Sequence, residues 1–300
     1  MTFNFLLIRN HYTFNKINIF LMPKTIINNL LVNSFIIPSI LLTSCNTGKL
    51  KVIADLPASL KEISAAETIS NSNLIWVIED SGNKNTLYGL NSDGKIIKNL
   101  EISNAPNIDW EDLTSDEKGN LYIADFGNNS KKRKDFSIYK IKNPKNESSK
   151  VFAEKINFNL PKSIKSKDFE AFFIFQNSFY IFSKEQKNAV LIKVPNAVGH
   201  HEAELVTEFN LAGKNNLITS ADISNDGKTV VLLNHDKLWK LSEYTSDYFL
   251  KGTIEEFNFD HNSQKEGICF KDENTLYITD EKAHGKGGNL YELKFISIPY

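Results

Sequence analysis

The chain has 300 residues and carries 35 basic and 36 acidic side chains, but only two cysteines. From residue 46 onwards there are 32 basic and 36 acidic residues. Because a protein that binds nucleic acid needs a basic excess, this balance excludes such a partner. Two cysteines give no disulfide framework, and Cys269, in an apolar stretch, is expected to be a buried thiol.

Residues 1–45 are typical of a secretory signal. They contain no acidic side chain, and Lys24 precedes an apolar run that ends in Leu42-Thr43-Ser44-Cys45, the order of features that defines such a segment. A membrane-spanning helix is the alternative, but asparagine and proline interrupt the run, whereas a span needs about 20 almost uninterrupted apolar residues. The natural start is either Met1 or Met22, and in the second case residues 1–21 precede the protein.

The end of this segment resembles the lipobox of bacterial lipoproteins. The resemblance implies cleavage before Cys45, a diacylglycerol group on the Cys45 sulfur, and a membrane attachment through lipid alone. Residues 46–300 are then a single domain in the cell envelope. No acidic run follows Cys45, so the expected location is the periplasmic face of the outer membrane, and we expect a monomer.

One pattern recurs five times after the signal segment: an acidic or small residue, a strand of alternating residues, a polar turn, and an apolar strand that in most copies ends in an acid or amide. A repeat near fifty residues that is built of strands indicates an all-β fold, a β-propeller. A β-sandwich with coincidental spacing is the alternative. The copies begin at Glu62, Glu111, Glu170, Ala221 and Glu266.

The spacing of the copies predicts how the ring closes. Successive copies are 49, 59, 51 and 45 residues apart, and only 34 residues follow Glu266. The segment between the signal and the first copy supplies the missing length. We therefore predict five four-stranded blades, the last completed by an N-terminal strand over Leu50–Leu56, which hides sheet edges that would otherwise pair with other chains. Six blades are the alternative, but the longest interval shows no additional hairpin.

In three copies an acid that opens the first strand is expected to face an acid that closes the second. The midpoint of each pair falls within the turn, as it does for residues opposite each other in a hairpin. The third copy has Lys184 in place of the second acid, which predicts an ion pair with Glu170. The three acidic pairs are Glu62 with Asp80, Glu111 with Asp125, and Glu266 with Asp280.

Because the first strands of a propeller line its channel, these acids should converge on one rim near the axis. Like charges that face each other are destabilising, and a hard cation such as Ca²⁺ would offset the repulsion. The alternative is that the acids accept amide hydrogen bonds at strand ends. The expected metal ligands are Glu62, Asp80, Glu111 and Asp125; the remaining rim candidates are Asn83, Asn128, Glu170, Glu266 and Asp280.

Two copies extend the closing acid into an Asp-x-Gly-Asn sequence, which ends at Asn83 in the first and at Asn128 in the second. Glycine is expected to supply a positive φ in the turn, and the Asp or Asn side chain to bond the turning backbone. The rival interpretation is that these side-chain oxygens point into a pocket at the rim.

The sequence over most of residues 60–294 resembles a family of largely uncharacterised bacterial secreted β-propeller proteins. The likeness is carried by Trp76-Val77-Ile78-Glu79-Asp80-Ser81-Gly82-Asn83 and by Asp109-Trp110-Glu111-Asp112, with Glu79 where the family often has Asn. The resemblance implies a propeller in the cell envelope and brings no established reaction. A weaker resemblance is to the propeller domain of SdiA-regulated proteins.

Two functions fit this sequence. The first is a non-enzymatic module that binds a protein or small-molecule ligand with its rim and loops. The second is a Ca²⁺-dependent hydrolase of phosphoester or lactone substrates, in which calcium held by carboxylates polarises the bond. The first is favoured because no general base or nucleophile stands out.

Overall fold

The computed structural model describes residues 47–283 and 285–295. The signal segment and the lipobox cysteine lie outside these residues. The described chain is built of strands, with two single-turn 3-10 helices at Pro144–Asn146 and Phe249–Lys251. None of its helices has the length and apolar character that crossing a membrane requires.

The strands are short, and most of their residues are buried on the faces that meet a neighbouring blade. In chain order the described strands are β1 Lys51–Asp55, β2 Ile63–Thr68, β3 Ile75–Glu79, β4 Thr86–Leu90, β5 Ile96–Ile102, β6 Trp110–Ser115, β7 Leu121–Asp125, β8 Asp135–Ile141, β9 Lys150–Val151, β10 Glu154–Asn159, β11 Phe169–Phe175, β12 Ser178–Ser183, β13 Ala189–Pro195, β14 Gly199–Glu202, β15 Glu204–Phe209, β16 Ser220–Ile223, β17 Val230–Leu233, β18 Lys237–Ser242, β19 Thr253–Asn258, β20 Lys265–Asp272, β21 Thr275–Asp280 and β22 Asn289–Lys294.

The strands form five four-stranded antiparallel blades around a central channel. The innermost strands are β2, β6, β11, β16 and β20, and each contacts the innermost strand of the next blade, including β20 with β2. The ring therefore closes at five blades, as the repeat spacing predicts, and the six-bladed alternative is excluded. The blades are β2–β5, β6–β8 with β10, β11–β13 with β15, β16–β19, and β20–β22 with β1.

The N-terminal strand completes the last blade, as predicted. Strand β1 pairs antiparallel with β22, and Lys51 lies opposite Glu292. The junction continues beyond the strand, because the Leu56 amide donates to the Gly288 carbonyl at 2.7 Å. The two ends of the described chain are thus held in one sheet.

Two short strands were not expected from the sequence. Strand β9 pairs in parallel with β5 at the outer edge of the first blade, and β14 pairs in parallel with β10 at the outer edge of the second. Each short strand belongs to the next blade along the chain, in the segment between that blade's third and fourth strands. It thereby covers the outer edge of the preceding blade. Strands of two to four residues are too short to show an alternating pattern.

Apolar side chains between neighbouring blades form the core. Trp76 and Trp110 are fully buried in one cluster between the first two blades, and Trp239 is buried in another. Cys269 is a buried free thiol, as expected. The blades are therefore joined by continuous packing, and the polar groups described below are confined to the channel and its two ends.

Candidate functional site

A β-bulge opens the innermost strand of four blades. The pairing register shifts by one residue between Ile63 and Ala65 in β2, and equivalent shifts occur at the start of β6, β11 and β20. A bulge leaves one residue without a partner and redirects its side chain. The residues left out of register are Ser64, Glu111, Glu170 and Glu266.

In the fourth blade Thr219 takes the corresponding place. Its hydroxyl donates to the carbonyl of Lys265 at 2.8 Å, as the Ser64 hydroxyl donates to the carbonyl of Trp110 at 3.0 Å. The ring of equivalent positions thus holds three glutamates, one serine and one threonine. The alignment of the repeats from sequence is offset by two residues in the first and fourth blades, where it places Glu62 and Ala221 at this ring.

The bulges also change which residues face each other. The extra residue moves the glutamate away from the acid that closes the second strand, so two of the three predicted acidic pairs do not form in the expected register. The first blade keeps its pair, because the Asp80 amide donates to the Glu62 carbonyl at 2.9 Å. In the other two, Asp125 lies opposite Trp110 rather than Glu111, and Asp280 lies opposite Lys265 rather than Glu266.

Asp125 bonds to protein groups rather than to the rim. It is buried, forms an ion pair with Arg133 at 2.9 Å, and accepts a hydrogen bond from the Asp109 amide at 3.2 Å. Burial raises the pKa of Asp125, and the Arg133 charge opposes this effect. The structure therefore gives Asp125 the role of a strand-end acceptor, and the metal-ligand role expected for it finds no support in the geometry.

Three other rim candidates, Asp280, Glu62 and Asn83, also form hydrogen bonds with protein groups. Asp280 accepts hydrogen bonds from the Tyr291 hydroxyl at 2.7 Å and from the Asn289 amide at 2.8 Å. Glu62 is exposed and accepts a bond from the side chain of Asn83 at 2.7 Å. These contacts leave Glu62 outside the group of acids that could share one cation.

Arg133 and Asn128 fix the loop after β7. The Arg133 guanidinium donates to the carbonyls of Gly127 and Asp125 at 2.9 and 3.0 Å. The Asn128 side chain donates to the Lys167 carbonyl at 2.8 Å and accepts from the Arg133 amide at 2.8 Å. Asn128 thus supports the loop, and Arg133 connects it to the buried acid.

Replacing Arg133 with lysine should lower the free energy of unfolding by about 1–2 kcal/mol, because a lysine cannot reproduce the forked contact with a buried carboxylate and two carbonyls. Urea denaturation would measure the change. The matched control is Lys134→Met in the same loop, which is exposed and should stay within about 0.5 kcal/mol. Equal stability of the two variants would contradict this role for Arg133.

Three carboxylates from two blades converge at the end of the channel where the innermost strands begin, which we call the entry mouth. One oxygen each from Asp80, Asp109 and Glu111 lies within 4.8 Å of the others. Asp80 and Glu111 were expected as metal ligands, and Asp109 was not. The signal for Asp109 was present, because it opens the Asp109-Trp110-Glu111-Asp112 motif.

Asn107 holds the two blades in position at this point. Its side-chain nitrogen donates to the carbonyls of Glu79 and Asp80 at 2.8 and 2.9 Å, and its oxygen accepts from the Trp110 amide at 3.1 Å. The end of β3 is thereby tied to the segment that enters β6. The tie brings the segment that carries Asp80 next to the segment that carries Asp109 and Glu111.

Gly127 leaves the space that two of these carboxylates occupy. A Cβ atom at this position would overlap Oε1 of Glu111 and would lie 2.6 Å from Oδ2 of Asp109. The explanation predicted from the repeated Asp-x-Gly-Asn sequence holds for Gly82, which has a φ of 83° and open space around it. Gly127 has no such φ, and the close approach of carboxylates is what requires glycine there.

Glu111 is only 5% exposed, and its side chain contacts another carboxyl group, that of Glu170. Burial and the Glu170 charge raise the pKa of Glu111 well above its ordinary value. Lys184 forms the predicted ion pair with Glu170 at 3.2 Å. Burial likewise raises the pKa of Glu170, to about 8, while the Lys184 charge opposes the increase.

Further acids surround this group. Glu266 contacts His235 Nε2 at 2.8 Å. Burial raises the pKa of Glu281 to about 8, and the charges of Glu266 and Asp80 add to the effect. The entry mouth is therefore rich in carboxylates. Within the described residues, Lys184 forms an ion pair with one of them, Glu170.

Asp112 crosses the axis deeper in the channel. Its two oxygens accept four hydrogen bonds, from the Leu113 amide (3.0 Å), the Ser220 hydroxyl (2.9 Å), and the amides of Phe172 (3.0 Å) and Ala221 (3.2 Å). These donors come from three blades. Burial raises the pKa of Asp112, while the donors stabilise its ionised form. Sequence reasoning did not single out this position.

No family model and no curated protein matches the chain. Among solved structures, a structural genomics protein of unknown function from Bacteroides thetaiotaomicron has a TM-score of 0.50 at 9% identity, covering 82% of this chain and 75% of that one. The PQQ-bound aldose sugar dehydrogenase of Streptomyces coelicolor has a TM-score of 0.49 at 9% identity, and the match covers 82% of this chain and 98% of that one. A chain from a nidogen–laminin complex has a TM-score of 0.48 at 10% sequence identity, and the match covers 79% of this chain and 77% of that one. Likeness at these identities shows the fold alone.

Proposed function

We propose that the protein is a ligand-binding propeller that holds a divalent cation, Ca²⁺, at the entry mouth through Asp80, Asp109 and Glu111. The observation that carries the proposal is the space at Gly127, which lets Glu111 and Asp109 approach each other and Asp80. Calcium takes six to eight oxygen ligands in flexible geometry, and carboxylates are its usual protein ligands. Three carboxylates leave positions on the ion for a ligand.

A bound cation would remove an energetic conflict in the folded chain. Glu111 is buried beside a second carboxyl group, and an ion pair between Glu111 and a basic side chain is not among the contacts of the described residues. Burying a charge without an opposite charge is costly. Calcium at this point would neutralise the acids and present a positive centre to the oxygen atoms of a small molecule or of a partner protein.

Calcium should raise the melting temperature of the chelator-treated protein by about 5–10 °C at a concentration one hundred times the dissociation constant, which corresponds to about 2.7 kcal/mol. Glu111→Gln removes one ligand charge and should abolish most of the increase. Gly127→Ala should do the same without removing any acid, because the added methyl group displaces two carboxylates. Differential scanning calorimetry with calcium and with magnesium would measure both.

The matched control is Gly82→Ala, the glycine at the same place in the other Asp-x-Gly-Asn sequence. Its Cβ atom would meet nothing within 4 Å, so the variant should lose some stability through its positive φ and keep the calcium response. Absence of a calcium response in the unaltered protein would overturn the proposal. So would a response that Gly127→Ala and Glu111→Gln both retain.

The hydrolase alternative is separated from binding by an assay. Calcium-loaded protein that cleaves p-nitrophenyl phosphate or δ-valerolactone, and loses this activity in Glu111→Gln, would favour the enzyme. Binding without turnover supports the module. Attachment to the cell envelope through Cys45 stays a prediction, because the lipobox lies outside the described residues.

A further inference from the structure

A large cavity opens at the opposite end of the channel, which we call the turn mouth because the innermost strands turn there into the second strands. Its volume is about 1110 Å³, slightly above the range of about 300–1,000 Å³ that is usual for cavities binding a small organic molecule. Turns from four blades form its wall, at residues 69–74, 116–118, 176–177 and 224–227.

Two buried carboxylates line the cavity. Glu67 on β2 is 4% exposed and Asp222 on β16 is 7% exposed, and both belong to the cavity wall. Glu67 accepts a hydrogen bond from the Thr68 amide at 2.6 Å. Asp222 accepts from the amides of Ile223 and Phe270 at 2.8 and 2.7 Å. Over the described ranges, no ion pair joins either acid to a basic side chain.

The basic residues in the wall have other contacts. Lys271 forms an ion pair with Glu292 at 2.8 Å, and the Lys140 ammonium lies over the ring of Tyr122, 5.6 Å from its centroid. Lys118 lies in the exposed turn after β6. When the two buried acids are ionised, none of these wall lysines forms an ion pair with them.

Burial favours the protonated form of each acid. It raises the pKa of Asp222 to about 7. It also raises the pKa of Glu67 well above its ordinary value, and the charges of Asp222 and Asp112 add to the increase. Cys269 is a further titratable group beside the pair, and burial raises its pKa as well. A cation that enters the cavity can take the place of these protons.

We propose that the turn-mouth cavity binds a small organic amine, with its ammonium group between Glu67 and Asp222. The volume favours an organic molecule over a bare metal ion, and two carboxylates are too few for the usual coordination of calcium. A neutral polyol carries no positive charge that could take the place of the protons on these acids. Hydroxyl and amide side chains in the wall can bind the rest of the molecule; they include Ser115, Asn73, Gln176, Asn177 and Asn196.

The test compares 1,4-diaminobutane with 1,4-butanediol, which has the same length and no charge. Isothermal titration calorimetry on the folded chain should show one diamine bound per chain and no binding of the diol at the same concentrations. Because the bound amine replaces protons, affinity should increase from pH 6 to pH 8, through the pKa of Asp222. Titrations in two buffers of different ionisation enthalpy should also detect proton release.

Asp222→Asn and Glu67→Gln should each weaken diamine binding at least tenfold. Because these sites are buried and either variant can fail to fold, Asn73→Lys provides a second test: this side chain is exposed at the mouth, and the added charge should weaken the diamine severalfold. Glu111→Gln at the entry mouth should leave the affinity within twofold, so the outcome is independent of the cation site.

Three results would overturn the proposal. The first is no binding of the diamine at millimolar concentration. The second is binding of the diol as tight as that of the diamine, which would identify a site for neutral polyols. The third is diamine binding that Glu111→Gln abolishes and Asp222→Asn keeps, which would place the amine at the entry mouth.

Discussion

Replacing Asp112 with alanine should lower the free energy of unfolding by about 4 kcal/mol, because four donors from three blades lose their acceptor in a fully buried position. The donors would then lose this acceptor beside the axis, where Leu113, Phe172, Ser220 and Ala221 are themselves buried. Chemical denaturation would show the change as a lower midpoint at an unchanged slope.

Asp112→Asn is the informative companion variant. The asparagine oxygen can accept two of the four hydrogen bonds, but its NH₂ group faces donors and accepts none. We expect a loss of about 2–3 kcal/mol. Asp93→Asn in an exposed turn is the control and should change stability by less than about 0.5 kcal/mol. If Asp112→Ala resembles this control, Asp112 does not connect the blades.

Replacing Gly267 with alanine should prevent folding or lower the free energy of unfolding by more than about 3 kcal/mol. Gly267 lies on β20, where the fifth blade meets the first. An added Cβ would lie 2.6 Å from the Ala66 amide nitrogen and 2.7 Å from the Ala65 carbonyl carbon. Both are backbone atoms, so the innermost strand of the first blade would have to move, and the ring would open at its closing contact.

Gly285→Ala is the control for Gly267→Ala. Gly285 has a φ of 79° with nothing within 4 Å of its added Cβ, so it should lose only about 1–2 kcal/mol through the left-handed backbone. Far-UV circular dichroism during thermal unfolding would rank the two variants. A Gly267→Ala protein as stable as Gly285→Ala would show that neighbouring blades can shift apart at little cost.

The number of blades and the closing strand could be predicted because both depend on length. Copies of a repeat differ in sequence but keep a length near fifty residues, and the missing length at the end identified β1. The predicted closing strand Leu50–Leu56 contains β1, which runs from Lys51 to Asp55. The blade number and the closing strand can both be predicted from the repeated sequence pattern and from the number of residues between its copies.

The site depended on features that a pattern does not carry. A bulge adds one residue without a fixed sequence, so the symmetric pairing of Glu111 with Asp125 could not reveal that Asp125 faces Trp110. Asp109 joins the carboxylates because Asn107 ties two blades together, which is a contact between distant segments. The acids Glu67 and Asp222 come together only after the ring has closed, since 155 residues separate them in the chain.

The pairing of β1 with β22 has a consequence for the order of folding. Lys51 and Glu292 are 241 positions apart in the chain, yet the two lie opposite each other in one sheet. Contacts between such distant segments form slowly, because the loop entropy must be lost before the contact stabilises the fold. The fifth sheet can therefore be finished only after the segment that contains Glu292 has been synthesised. Once formed, this junction should also slow unfolding, since separating the two strands must precede the opening of the ring.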